Sequence, residues 1–388
     1  MVKREITVLQ HEFLDIDCYP VPEIKNFSRI QNILLFVLKY ITKSRANSYL
    51  LHQSKSDRNF STYIKLFCSN YLSYVPFVKS MFRRLFYLSV ISSRRTMSKF
   101  KSLPNCDLVF LTSLTDVHFE TLVGLYYSSL KIKTIGTPRS WDNITSYGCF
   151  PWIPDKILSH SEYMSFNLKT VQGLSDKKIF LAVAPNYQSH FLPTDMPLHG
   201  KVRIGLACMG FTTNPDDLNI LKWFSTEIAP KFIDKDFYVY QHPKFLHKIE
   251  LELPKNVYLR VFPYESTTLQ EYYREISTLS ILFAGGTSAL LDAAFCGTDT
   301  AFINFDCARQ KYWRSALRYA DELPHTSDFL DLNQIIFMNS KQDIETKIKS
   351  LDGKNTRVPC NNNLGYFIQS SQQRYSHYVI QVSRNIFK

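Results

Sequence analysis

The sequence predicts an α/β protein with two parallel sheets and a helical N-terminal portion. Residues 28–100 place apolar side chains every three to four positions, which is the spacing of amphipathic helices. From Asp107 onward, short apolar runs alternate with longer amphipathic stretches, the pattern of a parallel sheet covered on both faces. The alternation stops at the segment LPTDMPLHG, residues 192–200, and then restarts. We therefore expect a linker there.

The length of the chain also favours two domains. At 388 residues it exceeds what one ordinary hydrophobic core holds. We predict an N-terminal domain at 1–195, including a basic helical segment at 28–101, and a C-terminal domain at 196–388. The hydrophobic content of 45% indicates a packed globular protein rather than a disordered one.

Each domain has its own set of predicted elements. The first comprises strands at Glu5–Leu9, Leu108–Thr112, Lys133–Ile135, Lys156–Ser159 and Ile179–Val183, and helices at Val117–Leu130 and 161–172. The second comprises strands at Val202–Ala207, Phe237–Gln241, Val257–Val261 and Ile281–Ala284, and helices at Asp216–Ile228 and Thr268–Ile276. These elements predict two Rossmann-like domains that face each other across a cleft, with ligands beyond the carboxyl ends of the strands.

The most informative motif is ILFAGGTSAL, which runs from a buried strand through a turn into a helix and on to a second buried strand ending near Asp306. Gly285 and Gly286 allow a sharp turn close to a ligand. Thr287 and Ser288 then offer hydroxyls and free backbone N–H groups at the helix start, which favours a phosphate. The motif is neither a P-loop nor a GxGxxG fingerprint. A turn needed only for tight packing is the alternative.

Three further residues are predicted to lie near this phosphate site. Asp292 lies one helical turn beyond Ser288, where its carboxylate would accept hydrogen bonds from ribose hydroxyls. In YVYQHPK, His242 follows a buried strand and Pro243 fixes the turn, so His242 would donate to a phosphate oxygen while Lys244 adds charge. A surface or packing role is the alternative for His242.

The loop TPRSWDNITSYG, residues 137–148, contains the candidate site residues of the first domain. Trp141 offers a flat platform for a sugar ring, and Arg139 would bind an anion. Asp142 would act as general base on an acceptor hydroxyl, with Asn143 beside it. The alternative is a turn in which Asp142 and Asn143 only bond the local backbone.

Other polar residues carry weaker hypotheses. His118 is a second candidate base, and Asp116 before it is better explained as a helix N-cap. Asp15 and Asp17 form a DxD pattern, but no Rossmann unit precedes them, and the predicted phosphate site needs no metal. We therefore predict neither a metal nor another cofactor. The eight cysteines show no CxxC pair, which is typical of a reduced cytoplasmic protein.

The net charge of +12 is concentrated in one segment. Lys79–Lys101 holds seven basic residues and no acidic one, interleaved with apolar side chains. This composition suits an anionic membrane surface or a lipid phosphate, and a solvated basic helix is the alternative. No nucleic-acid partner is expected, because nucleic-acid-binding signatures are missing from the sequence. Neither a secretory signal nor a membrane span is expected near the N-terminus.

Four segments resemble bacterial surface-polysaccharide glycosyltransferases of the GT-B architecture. They are RSWDN, PDKILSHSEYM, YVYQHPK and AGGTSALLDAAFCGTDTAFINFD, within roughly Asp107 to Arg318. The resemblance implies that the C-terminal domain holds a nucleotide-activated donor and that the N-terminal domain holds an acceptor. The His-Pro step is similar to one in sialyl-, Kdo- and glycerophosphate-transferring enzymes.

The resemblance also implies roles for single residues. Gly286, Thr287 and Ser288 would hold the donor phosphate, assisted by His242. Asp292 stands where such enzymes usually have a Glu on the ribose, and Asp142 matches the acceptor-side loop. The chain departs from the family in one respect, because its first thirty residues lack the combination of a strand followed by a glycine-rich loop with which GT-B enzymes commonly open.

The expected function is therefore a glycosyltransferase of lipopolysaccharide, O-antigen or capsule biosynthesis. It would move a sugar from a nucleotide-sugar donor to a lipid-linked or growing surface glycan at the inner face of the cell membrane. Two alternatives stay open. One is a CDP-polyol phosphotransferase of the same fold, and the other is a non-catalytic component of a polysaccharide assembly complex.

Overall fold

The structure is a computed structural model, and its description covers most of the chain. The described residues are 22, 24, 26–42, 64–65, 67–68, 71–75, 77–115, 119–138, 143–146, 148–183, 187, 201–208, 216–241, 252–261, 269–285, 287–308, 335–351 and 375–387. The helices are α1 Arg29–Tyr40, α2 Val78–Ile91, α3 Arg94–Ser98, α4 Glu120–Ser129, α5 Asn143–Ser146, α6 Glu162–Thr170, α7 Asp217–Trp223, α8 Leu269–Ser277, α9 Ala289–Phe295, α10 Lys341–Ser350 and α11 Tyr375–Phe387. The strands are β1 Leu108–Leu111, β2 Lys133–Gly136, β3 Lys156–Ser159, β4 Ile179–Leu181, β5 Arg203–Ala207, β6 Asp236–Gln241, β7 Val257–Val261, β8 Ile281–Ala284, β9 Asp299–Ile303 and β10 Ile335–Met338.

The first sheet has the strand order β1-β2-β3-β4, and every pairing is parallel. Because successive side chains of a strand point to opposite faces, each strand contributes to two cores. Val109 and Ile157 pack with the helices of the N-terminal portion. Ile135 and Leu158 pack on the other face with Val382 of α11. The last helix of the chain thus covers the first sheet, while the domain boundary at 195/196 stays a prediction.

The second sheet has the strand order β7-β6-β5-β8-β9-β10, again with all pairings parallel. In chain order this is 3-2-1-4-5-6, the order of the doubly wound dinucleotide-binding fold. One face packs Tyr240 and Leu282 against α8 and α9. The other packs Val239 and Phe283 in a core shared with α7 and α10. The predictions of an α/β fold, two Rossmann-like units and a helical N-terminal portion are confirmed.

Most predicted elements are found within two or three residues of their predicted ends. The predicted helix Asp216–Ile228 changes at Phe224 from α-helix to a π-helical turn. Pro230 follows in the next turn and has no N–H to donate, so the regular helix does not continue. The predicted strand Glu5–Leu9 lies outside the described residues. Strand β10 and helices α5, α10 and α11 were not predicted from the sequence, and α5 lies within the predicted loop 137–148.

Two cations of the basic segment have structural partners. Lys79 Nζ donates to the carbonyl of Val171 at 2.8 Å, and Arg83 donates to the carbonyl of Gln172 at 2.9 Å. Both carbonyls lie at the C-terminal end of α6, where helix carbonyls lack partners and the dipole is negative. These two residues therefore join α2 to α6. In the described part of the chain, no helix is both long and apolar enough to cross a membrane.

Candidate functional site

The GGTS loop lies where the second sheet reverses its winding. Strands β5 and β8 are neighbours, with Ala207 aligned to Ala284. The chain passes from β5 to β6 on one side and from β8 to β9 on the other. A crevice therefore opens beyond the carboxyl ends of β5 and β8, which is where ligands of such sheets bind. Gly285 follows β8 directly, so the loop forms one wall of this crevice.

The loop makes a tight turn and leaves one hydroxyl exposed. The N–H of Thr287 donates to the carbonyl of Gly285 at 2.7 Å, and Thr287 Oγ1 accepts from the N–H of Ala289 at 3.4 Å. Ser288 is exposed, and its hydroxyl has no hydrogen-bond partner among the described residues. Because α9 spans seven residues, its dipole is small. Hydroxyls and loop N–H groups are thus the main phosphate ligands that this loop offers.

The Asp292 carboxylate is bonded to two tyrosines. Tyr187 donates to Oδ1 and Tyr272 donates to Oδ2, each at 2.8 Å. Burial raises the pKa of Asp292 to about 6, and the two tyrosine hydrogen bonds act in the opposite direction. The N–H of Asp292 donates to the carbonyl of Ser288, which confirms the one-turn spacing. The predicted ribose contact stays a prediction, and each carboxylate oxygen keeps acceptor capacity for it.

The tyrosines belong to an aromatic cluster that joins the two units. Tyr187 follows β4 of the first sheet, yet it packs edge-on against Phe295 of α9 with ring centroids 5.2 Å apart. Tyr163 of α6 belongs to the same buried core as Tyr272 and Tyr273 of α8. This cluster was not predicted from the sequence. The sequence did contain one indication of it, the carboxylate between the apolar residues of LLDAA. A carboxylate that is buried needs hydrogen-bond donors from other parts of the chain.

The first sheet carries its own polar pair at its carboxyl edge. Thr137 follows β2 and His160 follows β3, and Thr137 Oγ1 lies 2.6 Å from His160 Nε2. Thr137 Oγ1 also lies 3.2 Å from the carbonyl of Leu158, which can only accept. Either the Thr137 hydroxyl donates to Nε2, or Nε2–H donates to Thr137 while the hydroxyl donates to the carbonyl, according to the imidazole tautomer. Burial lowers the pKa of His160 to about 4, so the ring is neutral at pH 7.

His160 was missed as a candidate site residue, although it stands in the segment SHSEYM directly after a predicted strand. The pair lies next to the predicted acceptor loop, because that loop continues from Thr137. A neutral imidazole there offers a hydrogen-bonding group rather than a positive charge.

Several predicted site residues lie outside the described part of the chain. They are His118, Arg139, Trp141, Asp142, His242, Lys244 and Gly286. Asn143 begins α5, and only its backbone is described. The flanking elements are where the sequence predicted them: β6 ends at Gln241, just before His242, and β2 ends at Gly136, before the acceptor loop.

Among the described residues, no three His, Cys, Asp or Glu side chains are grouped so that they could hold a metal ion. Asp15 and Asp17 of the DxD pattern lie outside that part of the chain.

Comparisons with known proteins give similar structures but no family. No family model matches this chain, and no curated protein matches it. Similar solved structures include the Methanocaldococcus jannaschii UDP-GlcNAc 2-epimerase in complex with UDP-GlcNAc and UDP, with a TM-score of 0.43, 12% identity, and coverage of 89% of this chain and 98% of that one.

Two other solved structures are similar at the same level. The S. aureus MnaA–UDP structure has a TM-score of 0.48 and 9% identity, covering 91% of this chain and 94% of that one. The spinosyn rhamnosyltransferase SpnG with spinosyn aglycone has a TM-score of 0.47 and 10% identity, covering 88% and 85%. At these values they assign neither a family nor an activity to this chain.

Proposed function

We propose that this protein is a metal-independent glycosyltransferase of GT-B type that binds a nucleotide-sugar donor on its second sheet. The observation that carries the proposal is the strand order 3-2-1-4-5-6, together with the GGTS loop at its switch point. A loop of two glycines and two hydroxyl residues suits the diphosphate of a nucleotide sugar, because it combines close backbone approach with several donors.

The donor side would act by stabilising the departing nucleotide. Thr287 and Ser288 would donate to the phosphate oxygens, and His242 would donate from the end of the neighbouring strand β6. Lys244 would add positive charge. Donors held in place before reaction stabilise the charge that develops on the leaving phosphate.

The acceptor side would be built on the first sheet. Asp142 would take the proton from the acceptor hydroxyl, with Arg139, Trp141 and Asn143 holding the glycan. The neutral His160 lies at the same carboxyl edge, hydrogen-bonded to the residue from which this loop continues. We assign the acceptor to a lipid-linked or growing surface glycan, as in O-antigen or capsule biosynthesis.

The basic segment 79–101 would place the enzyme at the inner face of the cell membrane. Lys79 and Arg83 are bonded to the end of α6, so the attraction to anionic lipids rests on the other basic residues of the segment. Docking at the membrane would bring the first sheet close to a lipid-linked acceptor.

A transfer assay with the purified protein tests the proposal. The protein is incubated with UDP-, GDP-, CDP- and CMP-activated sugars and a lipid-linked glycan fraction, and nucleotide release and product mass are measured. We expect the D142N variant to lose about a hundredfold in turnover, the lower end of general-base contributions. The exposed Asp176 supplies the control, D176N, which keeps its activity.

Each other outcome has a defined meaning. Full turnover of D142N would remove Asp142 as the base. A product heavier by a polyol phosphate rather than by a sugar residue would establish the CDP-polyol phosphotransferase. Failure of every donor to react or bind would leave the non-catalytic assembly component.

A further inference from the structure

A cationic cavity lies behind α2, away from the residues assigned to the donor. It is an open concave space of about 430 Å³, bordered by α2, by the segment before β3 and by the segment between α6 and β4. The polar and aromatic side chains that line it are those of Ser80, Arg83, Arg84, Tyr87, Trp152, Ser175 and Lys178. We call this space the α2 cavity.

The described lining of the α2 cavity is positively charged. Three of its lining side chains are cations, and its described lining contains no carboxylate. Arg83 already donates hydrogen bonds to the carbonyl of Phe150, to Cys149 Sγ and to Gln172 Oε1. Arg84 is exposed and has neither a hydrogen bond nor an ion pair within the described residues.

Lys178 is the second cation with free donors. Its Nζ donates to the carbonyl of Pro154 at 3.0 Å, which leaves two of three N–H groups without a described partner. The nearby Asp155 carboxylate accepts from the N–H and hydroxyl of Thr134. Arg84 and Lys178 thus present unpaired donors to one concave space, which is the arrangement that binds an anion.

The cavity has a rigid aromatic wall. Trp152 is 8% exposed and lies flush against α4, because a Cβ on Gly124 would come within 2.4 Å of the indole ring. Trp152 thus forms a packed wall of the space that Arg84 and Lys178 also line.

An exposed apolar stripe runs along α2 beside the cavity. It consists of Phe77, Met81, Leu85 and Leu88, exposed by 65%, 41%, 43% and 45%. Their spacing of three and four places them on one helix face, and Arg84 lies between this stripe and the cavity-lining residues Ser80 and Tyr87. The opposite face of α2 is buried through Val78, Phe86 and Val90.

We propose that the α2 cavity binds the phosphate of an anionic lipid headgroup while the apolar stripe lies in the bilayer surface. This deepens the membrane part of the proposed function and rests on it. The charge of this segment favours a bilayer over a protein partner. Residues 79–101, which include most of the stripe, carry seven basic side chains and no acidic one, and this charge complements an anionic membrane. A discrete cavity adds a stoichiometric site to this diffuse attraction.

Vesicle binding by the full-length protein tests the proposal. Cosedimentation is measured with phosphatidylcholine vesicles that contain or lack phosphatidic acid. The double variant R84Q/K178Q removes the two free cations of the cavity. At about 1 kcal/mol per basic residue near the surface, we expect its affinity for phosphatidic acid vesicles to fall by about 30-fold. The matched control K177Q/R274Q removes the same charge from exposed positions outside the cavity and should bind as the wild type does.

A second experiment tests whether the ligand is a lipid headgroup or free phosphate. Short-chain dihexanoyl phosphatidic acid and inorganic phosphate are titrated by calorimetry into wild type, the cavity variant and the stripe variant L85Q/L88Q. We expect the stripe variant to lose vesicle binding while it still binds the short-chain lipid, which also shows that it is folded. The cavity variant should be weakened in both kinds of binding.

Three results would overturn the proposal. Equal weakening of the cavity variant and its control would mean diffuse attraction without a site. Binding of inorganic phosphate as tight as that of the short-chain lipid, without vesicle binding, would assign a free-phosphate site. Unchanged vesicle binding by the stripe variant would exclude the bilayer orientation. Nucleotide-induced stabilisation, measured on the same samples, reports the donor site separately.

Discussion

At the scale of the residue, Asp292 links the candidate donor site to the packing of the chain. Its carboxylate accepts from Tyr187 and Tyr272 within the aromatic cluster, and burial raises its pKa to about 6 from the ordinary 3.8. A carboxyl group with a raised pKa binds a proton more tightly in the folded state than in the unfolded chain. Its favourable contribution to stability is therefore complete below pH 3.8 and is lost as the pH rises through about 6.

The D292N variant tests this linkage. Across that pH window the wild type should lose at most about 3 kcal/mol of unfolding free energy through this group, at 1.36 kcal/mol per pKa unit. The amide does not titrate, so this pH-dependent loss should be missing in D292N. Apart from that, the substitution should change the free energy of unfolding only by an amount that does not vary with pH. Denaturant unfolding at a series of pH values measures the difference between the two proteins. The exposed Asp234 supplies the control, D234N, which should keep the wild-type profile, and a D292N profile parallel to wild type would contradict the assignment.

At the scale of the element, one glycine fixes α1 against the first sheet unit. Gly148 has a φ of +85°, and a Cβ there would lie 2.4 Å from the backbone carbonyl oxygen of Lys39. The N–H of Cys149 donates to the carbonyl of Leu38, so the backbones are already in contact. The end of α1 cannot move aside without breaking this bond.

The G148A variant should therefore be strongly destabilised. Left-handed backbone costs about 1–2 kcal/mol for an alanine, and the backbone overlap adds a similar amount, giving about 3 kcal/mol in total. Gly173 is a matched control, because its φ is +70° but a Cβ there meets nothing within 4 Å. Equilibrium denaturation should show a loss of only about 1 kcal/mol for G173A. Equal losses in the two variants would mean that the contact with α1 contributes nothing.

The sequence identified the strands of both sheets except β10, but not all of their neighbours. Strands such as β8, buried on both faces, are continuous apolar runs bounded by turn residues and can be located directly. The helix α11 has an amphipathic pattern as well, but nothing local indicates that its Val382 packs against the first sheet. Such a choice depends on contacts between residues far apart in the chain.

The same distinction holds for the site. The position of Gly285 and Ser288 at a strand end was predictable, because glycines directly follow a buried strand. The partners of Asp292 were not, since Tyr187 and Tyr272 lie 105 and 20 residues away in sequence. The Thr137–His160 pair is likewise formed only when β2 and β3 lie side by side.

At the scale of the whole molecule, the aromatic cluster connects the two predicted ligand-binding edges. Tyr187 belongs to the segment that leaves the first sheet, whereas Asp292 belongs to the helix that follows the GGTS loop. A ligand that orders this loop is therefore in a position to stabilise both units. The residues that line the α2 cavity do not belong to this cluster.

The measurement that tests the central claim most directly is thermal unfolding of the purified protein with UDP, GDP, CDP and CMP in turn. Ligand at about 100 times its dissociation constant stabilises the native state by about 2.7 kcal/mol. We expect one nucleotide to raise the unfolding temperature. The S288A variant should weaken that shift, since a hydrogen bond to a charged group contributes about 1.5–3 kcal/mol, whereas the control S350A on α10 should not. If no nucleotide stabilises the wild type, the GGTS loop is a packing turn and the donor site does not exist.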